Sequence, residues 1–298
     1  MGTACASPAR PPTSARYRRR RPGVPERTKM TDPLSPPDAD HLRHRALTEN
    51  RPVLGAWLTR ASPDLLAALS ASALDYVGID CQHGLISEAE ATRMTADAKP
   101  TATGHLVRVS ANRPELIGRV LDGGADGVIV PTVNSAEEAR AAVAAVHFPP
   151  LGQRSYGPTA PRLPREPEHL ARRALLLAMI ETRQGLDAVK EILAVPGVDG
   201  VYVGPADLGI SLGLGPAQFP ASAELEPALH TVVEAAKSAR KIAGLHAGSE
   251  LFTEHYAGMG FHLLTLGTEA SFVSAGVERV LETAGTTAKN EKKTNGPY

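Results

Sequence analysis

Short apolar runs alternate with helix-length amphipathic segments along most of this chain. Strands that are buried on both faces of a parallel sheet have short, nearly continuously apolar sequences of this kind. Eight runs fit the description: Leu54–Leu58, Asp75–Asp80, His105–Val109, Gly127–Pro131, Leu175–Glu181, Gly200–Gly204, Ile242–His246 and Leu263–Gly267. The pattern therefore predicts eight strands with helices between them.

The segments between the runs carry helix signals. Ser62 and Pro63 form an N-cap followed by a first-turn proline, and Ser135 and Glu138 have the spacing of a capping box. One apolar stripe follows the helical period at four positions, Leu186, Val189, Ile192 and Leu193. These signals support the predicted helices.

Eight βα units favour a closed (β/α)8 TIM barrel over an open doubly wound sheet, which usually has fewer strands. A doubly wound dinucleotide-binding domain also has a glycine-rich phosphate turn after its first strand, and no G-x-G-x-x-G sequence follows Leu58. The 298 residues accommodate one barrel of about 250 residues. We therefore expect a single α/β barrel domain.

Both ends of the chain lack the apolar positions that a core needs. Residues 1–40 are rich in Pro, Arg and Ser, and residues 286–298 are polar. We expect a disordered N-terminal tail over 1–40, a barrel domain over 41–285 and a polar C-terminal tail over 286–298. The first tail is interpreted as a solvated segment or as sequence upstream of a start at Met30, because its prolines disfavour an amphipathic transit helix.

Charge and cysteine content exclude several classes of function. The 32 Lys and Arg residues balance 32 Asp and Glu residues, so no net positive field favours nucleic acid or an anionic membrane as a partner. No apolar stretch has the length of a membrane span or the features of a signal peptide. Cys5 and Cys81 lie in different surroundings, which argues against a disulfide. We expect a soluble, cytoplasmic protein.

Catalytic groups of a TIM barrel come from the C-terminal ends of its strands. The polar residues at those ends are Asp80, Gln82, His83, Arg108, Glu181, Asp207, His246 and Ser249. Glu181 and Asp207 each follow an apolar strand, where two carboxylates without a Cys or His cluster suit a hard cation such as Mg²⁺ or Mn²⁺. The structural alternative is that Glu181 pairs with Arg183 and Asp207 caps the next turn.

Two further residues are candidates for proton transfer and charge stabilisation. His83 is either a catalytic base or an ordinary loop donor. Arg108 interrupts an apolar run, which implies an anionic partner, either a substrate or an internal carboxylate. The lysines of the barrel region fall in helices or loops, so a Schiff-base mechanism is disfavoured. Cys81 is interpreted as a small core residue.

The chain resembles the HpcH/HpaI aldolase family of class II pyruvate aldolases, which is related to citrate lyase β subunits. The resemblance covers residues 50–285 and rests on six stretches. They are residues 55–58, 75–84, 106–109, 124–131, 180–183 and 197–208, with the sequences GAWL, DYVGIDCQHG, LVRV, GADGVIVP, IETR and GVDGVYVGPADL. The last stretch is the most specific.

The resemblance implies a barrel of the phosphoenolpyruvate/pyruvate-binding type and a metal-dependent aldolase that cleaves or forms 4-hydroxy-2-oxo acids. The implied cofactor is Mg²⁺, Mn²⁺ or Co²⁺, and the implied assembly is a homohexamer that exchanges its last helix. The implied roles are metal ligands at Glu181 and Asp207, a metal-bound water on Asp80, a base at His83 that is paired with Asp122, and Arg108 beside the pyruvate oxygen. Trp57, Gly204, Pro205 and Ala206 would line the substrate.

Two positions depart from the family pattern: Gln82 stands where many members have Glu, and Met179 where many have Gln. Both substitutions change the polar groups around the implied metal, so they bear on substrate choice. Alternative functions are oxaloacetate decarboxylation or acyl-CoA lyase chemistry in the same site. A metal-free phosphosugar isomerase and a non-catalytic barrel are the alternatives from other classes.

Overall fold

The computed structural model describes residues 39–49, 51–216 and 223–285. Eight parallel strands form a closed barrel in chain order, with β8 paired to β1. The strands are β1 (Val53–Leu58), β2 (Tyr76–Asp80), β3 (Gly104–Arg108), β4 (Gly127–Val130), β5 (Leu175–Ile180), β6 (Gly200–Val203), β7 (Ile242–His246) and β8 (Leu263–Thr268). The predicted TIM barrel is confirmed, and the predicted strand bounds agree with the observed ones to within one residue.

Helices cover the outside of the barrel, apart from α1. In the described ranges they are α1 (Ala39–Thr48), α2 (Pro63–Ser70), α3 (Glu88–Asp97), α4 (Pro114–Asp122), α5 (Ala136–Val146), α6 (Pro167–Arg173), α7 (Arg183–Asp187), α8 (Val189–Ala194), α9 (Pro205–Ser211), α10 (Glu226–Ala239), α11 (Thr253–Met259) and α12 (Glu269–Thr283). The Ser62 side chain caps α2, as predicted. The predicted capping box at α5 is half formed: Ser135 accepts from Glu138 N, but the Glu138 carboxylate accepts from Asn134 N.

The core has two layers. One lies between the outward faces of the strands and the helices and is rich in Val, Leu, Ile and Ala. The predicted stripe from Leu186 to Leu193 belongs to it, although Ala188 leaves the helical conformation there and divides the segment into α7 and α8. The second layer fills the barrel interior and contains Trp57, Tyr76 and Tyr202.

Helix α1 closes the N-terminal end of the barrel, which the sequence did not predict. Its Leu42 and Ala46 are buried in the interior cluster with Val53 at the start of β1. Arg43 pairs with Asp199 at 2.8 Å, just before β6. The catalytic groups of a TIM barrel lie at the opposite end, where the strands finish.

The predicted tails over 1–40 and 286–298 lie outside the described residues, apart from Ala39 and Asp40 in α1. Within the described ranges, none of the helices combines the length and the apolar character of a membrane span.

Candidate active site

The barrel brings most of the predicted residues to one end. Asp80 and Arg108 are the last residues of β2 and β3, and Glu181 follows β5 directly. Asp207 lies in the first turn of α9, after β6. Trp57, near the end of β1, points into the barrel interior. The strand ends thus place carboxylates, a guanidinium and an indole around one mouth.

Asp80 and Arg108 form a buried ion pair. Arg108 Nε donates to Asp80 Oδ1 at 2.8 Å and Nη2 donates to Oδ2 at 2.6 Å. Trp57 Nε1 donates to the same Oδ2 at 3.3 Å, and the guanidinium lies 5.2 Å from the indole centroid. Burial alone would raise the pKa of Asp80, but the hydrogen bonds and charge of Arg108 outweigh it and hold that pKa below its usual range. The internal ion pair foreseen for Arg108 is therefore present.

Glu181 is held by a strained residue on the neighbouring loop. Its Oε1 accepts from the backbone N of Thr132 at 2.7 Å and from the Thr132 hydroxyl at 2.9 Å. Thr132 has a φ of 53°, in the left-handed region that a β-branched residue rarely adopts. The structural alternative, a pairing with Arg183, is not what holds the carboxylate. Burial, with a further contribution from the charge of Asp207, raises the pKa of Glu181.

The second oxygen of Glu181 is the best candidate for holding a cation. Oε2 is buried and has no hydrogen-bond partner among the described residues. A Cβ atom at Gly204 would lie 3.2 Å from this oxygen and 2.5 Å from Met179 Cε, so glycine keeps the space beside it open. Pro205 and Ala206 begin α9 between Gly204 and Asp207. A buried, unsatisfied carboxylate oxygen close to a second carboxylate fits a divalent cation.

The protein alone does not complete a coordination shell there. No group of three or more His, Cys, Asp or Glu side chains in the described part of the chain is placed to hold a metal ion. Two carboxylates leave room for oxygen ligands from water and substrate, which hard cations such as Mg²⁺ accept. The residues present therefore fit a cation that is shared with substrate.

His83 and Gln82 lie in the turn after β2. The backbone N–H groups of both residues donate to Asp80 Oδ1, at 3.3 Å from His83 and 3.0 Å from Gln82. The His83 side chain is exposed, while Gln82 Oε1 is buried without a hydrogen-bond partner among the described residues. Asp80 therefore fixes both Arg108 and the loop that carries His83.

Asp122 is not brought to His83 within one chain. It is the last residue of α4, which runs back from the end of β3 to the start of β4, so it lies at the opposite end of the barrel. Its Oδ1 accepts from Arg154 Nη2 at 2.6 Å. The two residues line a groove of about 830 Å³ beside α4 and α5. Within one chain the structure therefore does not bring Asp122 next to His83, because α4 runs antiparallel to the strands.

The sequence did not assign a role to His246, yet this residue lies on the wall of the site. Its ring meets the edge of Trp57 at 5.3 Å between centroids, and Tyr202 OH lies 3.4 Å from its Nδ1. Burial, and then the positive charge of Arg108, lower the pKa of His246 to about 4. The position at a strand end was the only signal in the sequence.

This shift makes stability depend on pH. An unfolded histidine has a pKa of about 6.5, so below that value the unfolded chain binds a proton at His246 that the folded chain excludes. The contribution of the neutral His246 ring to the free energy of unfolding is fully present above about pH 6.5, and it is lost as the pH falls towards 4. We expect about 2 kcal/mol of the stability lost between pH 7 and pH 5 to come from His246. Urea unfolding of the parent and His246→Asn at both pH values measures it, and an equal pH dependence in the two proteins would contradict it.

Among the described residues, the barrel places the carboxylates of Glu181 and Asp207 at its strand ends and no lysine there, an arrangement that fits one class of enzyme: a TIM-barrel lyase of the aldolase type. Comparison with known proteins agrees with this class. The family model described as HpcH/HpaI aldolase/citrate lyase matches residues 54–275, and the chain belongs to that family. The enzyme is accordingly an aldolase-type lyase.

Individual relatives show the extent of the similarity. The chain is 37% identical over 241 residues to a hydroxypyruvate/pyruvate aldolase of Rhizorhabdus wittichii, covering 79% of this chain and 95% of that one. It is 33% identical over 257 residues to a 4-hydroxy-2-oxo-heptane-1,7-dioate aldolase of Salmonella typhimurium, covering 84% and 95%. A crystal structure of a family member from Burkholderia cenocepacia superposes with a TM-score of 0.74 at 28% identity, covering 83% of this chain and 100% of that one.

Proposed function

We propose that this aldolase forms and cleaves 4-hydroxy-2-oxo acids from a pyruvate-type 2-oxo acid and an aldehyde, with a divalent cation held by Glu181 and Asp207. The observation that carries the proposal is the buried Glu181 Oε2, which has no hydrogen-bond partner among the described residues. The negative charge of Asp207 also contributes to the raised pKa of Glu181. The names of the two curated relatives support the substrate class.

The cation would act as a Lewis acid on the 2-oxo acid. Arg108 would stabilise the oxygen that becomes negative: Asp80 occupies its Nε and Nη2, while Nη1 lies 3.9 Å from the sulfur of Met179. Sulfur is a weak acceptor, so a substrate oxygen can replace it at little cost. His83 would take the proton from the methyl carbon, and the exposed turn leaves its ring accessible.

The decisive experiment follows the first half-reaction alone. Purified protein with Mn²⁺ should exchange the methyl protons of pyruvate in deuterated buffer, and EDTA should stop the exchange. The same preparation should release pyruvate from 4-hydroxy-2-oxo acids. Exchange that persists after EDTA treatment would exclude the cation, and a protein without exchange in the presence of Mn²⁺, Mg²⁺ or Co²⁺ would contradict the proposed reaction.

We propose that Asp122 serves the site of a second copy of the chain. Within one chain Asp122 and His83 lie at opposite ends of the barrel, so the pair that the family resemblance implies requires two chains. The exposed turn at His83 and the groove beside Asp122 are both accessible in the single chain. Asp122→Asn should therefore lower the exchange rate, by less than His83→Ala does.

We also propose a homo-oligomer, a hexamer by resemblance to the family. Helix α12 has little of its surface covered by its own barrel: Val273, Val277 and Val280 are 55%, 52% and 62% exposed along one face. An apolar stripe of this kind indicates a partner. Light scattering should give an oligomer mass that Val277→Asp lowers and Ala275→Asp, on another face of the helix, leaves unchanged. A parent that scatters as a monomer would refute the assembly.

A further inference from the structure

A row of buried hydrogen-bonding groups crosses the barrel interior beneath Trp57. The Thr265 hydroxyl on β8 lies 2.6 Å from Tyr76 OH and 2.6 Å from Tyr202 OH. Tyr202 OH also lies 3.4 Å from Nδ1 of His246. The row therefore joins β2, β8, β6 and β7 and ends at the wall of the site.

Glycines on neighbouring strands leave space for the rings of Trp57 and Tyr202. Gly78 is paired with Trp57 across β1 and β2, and a Cβ there would lie 2.2 Å from the indole. Gly244 is paired with Tyr202 across β6 and β7, and its Cβ would lie 2.8 Å from the phenol ring. A glycine inside a strand often marks such a close approach. The aromatic arrangement is thus specified by the sequence of both strands in each pair.

The number of protons and acceptors favours one direction of donation along the row. If Tyr76 donates to Thr265, Thr265 to Tyr202 and Tyr202 to His246, every hydroxyl proton is used inside the row. In the reverse direction Nδ1 of His246 donates to Tyr202, and the buried Tyr76 hydroxyl must also turn its proton to Tyr202, whose oxygen would then accept two hydrogen bonds. The first direction makes Nδ1 of His246 an acceptor and leaves the proton of the neutral ring on Nε2.

The end of the row fixes Trp57 from two sides. Tyr202 stacks on the indole with ring centroids 5.9 Å apart and planes 10° apart, and the His246 ring meets its edge. On its other side the indole donates to Asp80, which holds Arg108 and the turn of His83. A displaced indole would therefore disturb groups of the proposed machinery.

We propose that His246 is a positioning residue: the row of Tyr76, Thr265 and Tyr202 orients its ring, and the ring holds Trp57 against Asp80. Its kinetic consequence rests on the proposed function, whereas the position of Trp57 does not. Trp57 is the only tryptophan of the 298 residues, so tryptophan emission and near-UV dichroism report on it even in a protein without aldolase activity.

The test compares four variants with one control. Tyr202→Phe and Thr265→Val each break the row without changing the shape of the side chain much. His246→Asn keeps an acceptor oxygen near the place of Nδ1, and His246→Leu does not. Tyr256→Phe, a buried tyrosine in α11, is the control. We expect altered Trp57 emission and a kcat for pyruvate proton exchange about 3- to 10-fold lower in the row variants, with little change in KM.

The two His246 variants test the hydrogen bond between the row and Nδ1. His246→Asn should lie nearer the parent than His246→Leu in both spectrum and kcat, because it retains the acceptor. The reverse order would overturn the assigned direction of the row. Parent-like emission in both Tyr202→Phe and Thr265→Val, or an equal change in Tyr256→Phe, would overturn the positioning role. If pyruvate exchange is absent from the parent, the proposed function fails while the emission data still decide the role of His246.

Discussion

Replacing Glu181 or Asp207 by alanine should abolish Mn²⁺ binding and activity and leave a folded barrel. Loss of a group that only orients a ligand already lowers metal affinity about 10- to 100-fold, so loss of one of the two proposed protein ligands should lower it by more than about 100-fold. The free energy of unfolding should change little in Glu181→Ala, because the loss of the two hydrogen bonds from Thr132 is offset by removal of a buried carboxylate whose pKa is raised by burial and by Asp207. Removing it relieves an unfavourable charge in the metal-free protein.

Calorimetric titration with Mn²⁺ and urea unfolding together test this expectation. The matched control is Glu191→Ala, which removes an exposed carboxylate from α8 and should bind Mn²⁺ as the parent does. Unchanged Mn²⁺ affinity in Glu181→Ala would remove the metal assignment. A variant that loses both metal and cooperative unfolding would instead give Glu181 a structural role.

The hydrophobic pattern predicted the barrel because a strand buried on both faces needs an apolar residue at nearly every position. The same pattern located Asp80, Arg108 and Glu181, since each interrupts or ends such a run. The hydrophobic pattern does not indicate the backbone conformation after a strand. The left-handed φ of Thr132 and its hydrogen bonds to Glu181 were therefore not predicted. Contacts that depend on the conformation of one loop leave no periodic signal.

Asp122 illustrates a different limit. The resemblance assigns it to the site by its place in the chain, and the structure puts it at the far end of its own barrel, paired with Arg154. A single sequence does not distinguish a residue that acts within its own chain from one that acts in a neighbour. Helix α1 was missed for a related reason: its few apolar residues, such as Leu42, cover the end of the barrel and not its side.

The two departures from the family pattern have distinct surroundings. Met179 lies with its sulfur 3.9 Å from Arg108 Nη1 and its methyl group beside Gly204, so it fills the space between the proposed anion site and the α9 turn. Gln82 has a buried oxygen with no partner among the described residues. Both residues border the proposed site, which is where a change in substrate preference would arise.

His83→Ala should lower the exchange of pyruvate methyl protons by about 10²–10⁴-fold, the usual effect of losing a general base. The fold and pyruvate binding should remain, because the contact that orders this turn is the backbone N–H of His83 on Asp80, which alanine retains. His230→Ala, an exposed position on α10, is the control and should exchange at the parent rate. Parent-like exchange in His83→Ala would mean that another group takes the proton.

Arg108→Lys should lower exchange as well, but with a loss of stability that His83→Ala does not show. The guanidinium gives Asp80 two hydrogen bonds, at 2.8 and 2.6 Å, and a single ammonium on a longer stem cannot reproduce that planar fork. Because Asp80 is fully buried, losing a short, charge-assisted bond leaves one of its oxygens with only the longer N–H bonds from Trp57 or from the His83 turn, at a cost of about 1–3 kcal/mol. Urea unfolding and proton exchange measured on the same samples separate the structural role of Arg108 from its catalytic role. A variant that unfolds like the parent yet exchanges slowly would make Arg108 purely catalytic. A variant that exchanges at the parent rate with reduced stability would make it purely structural.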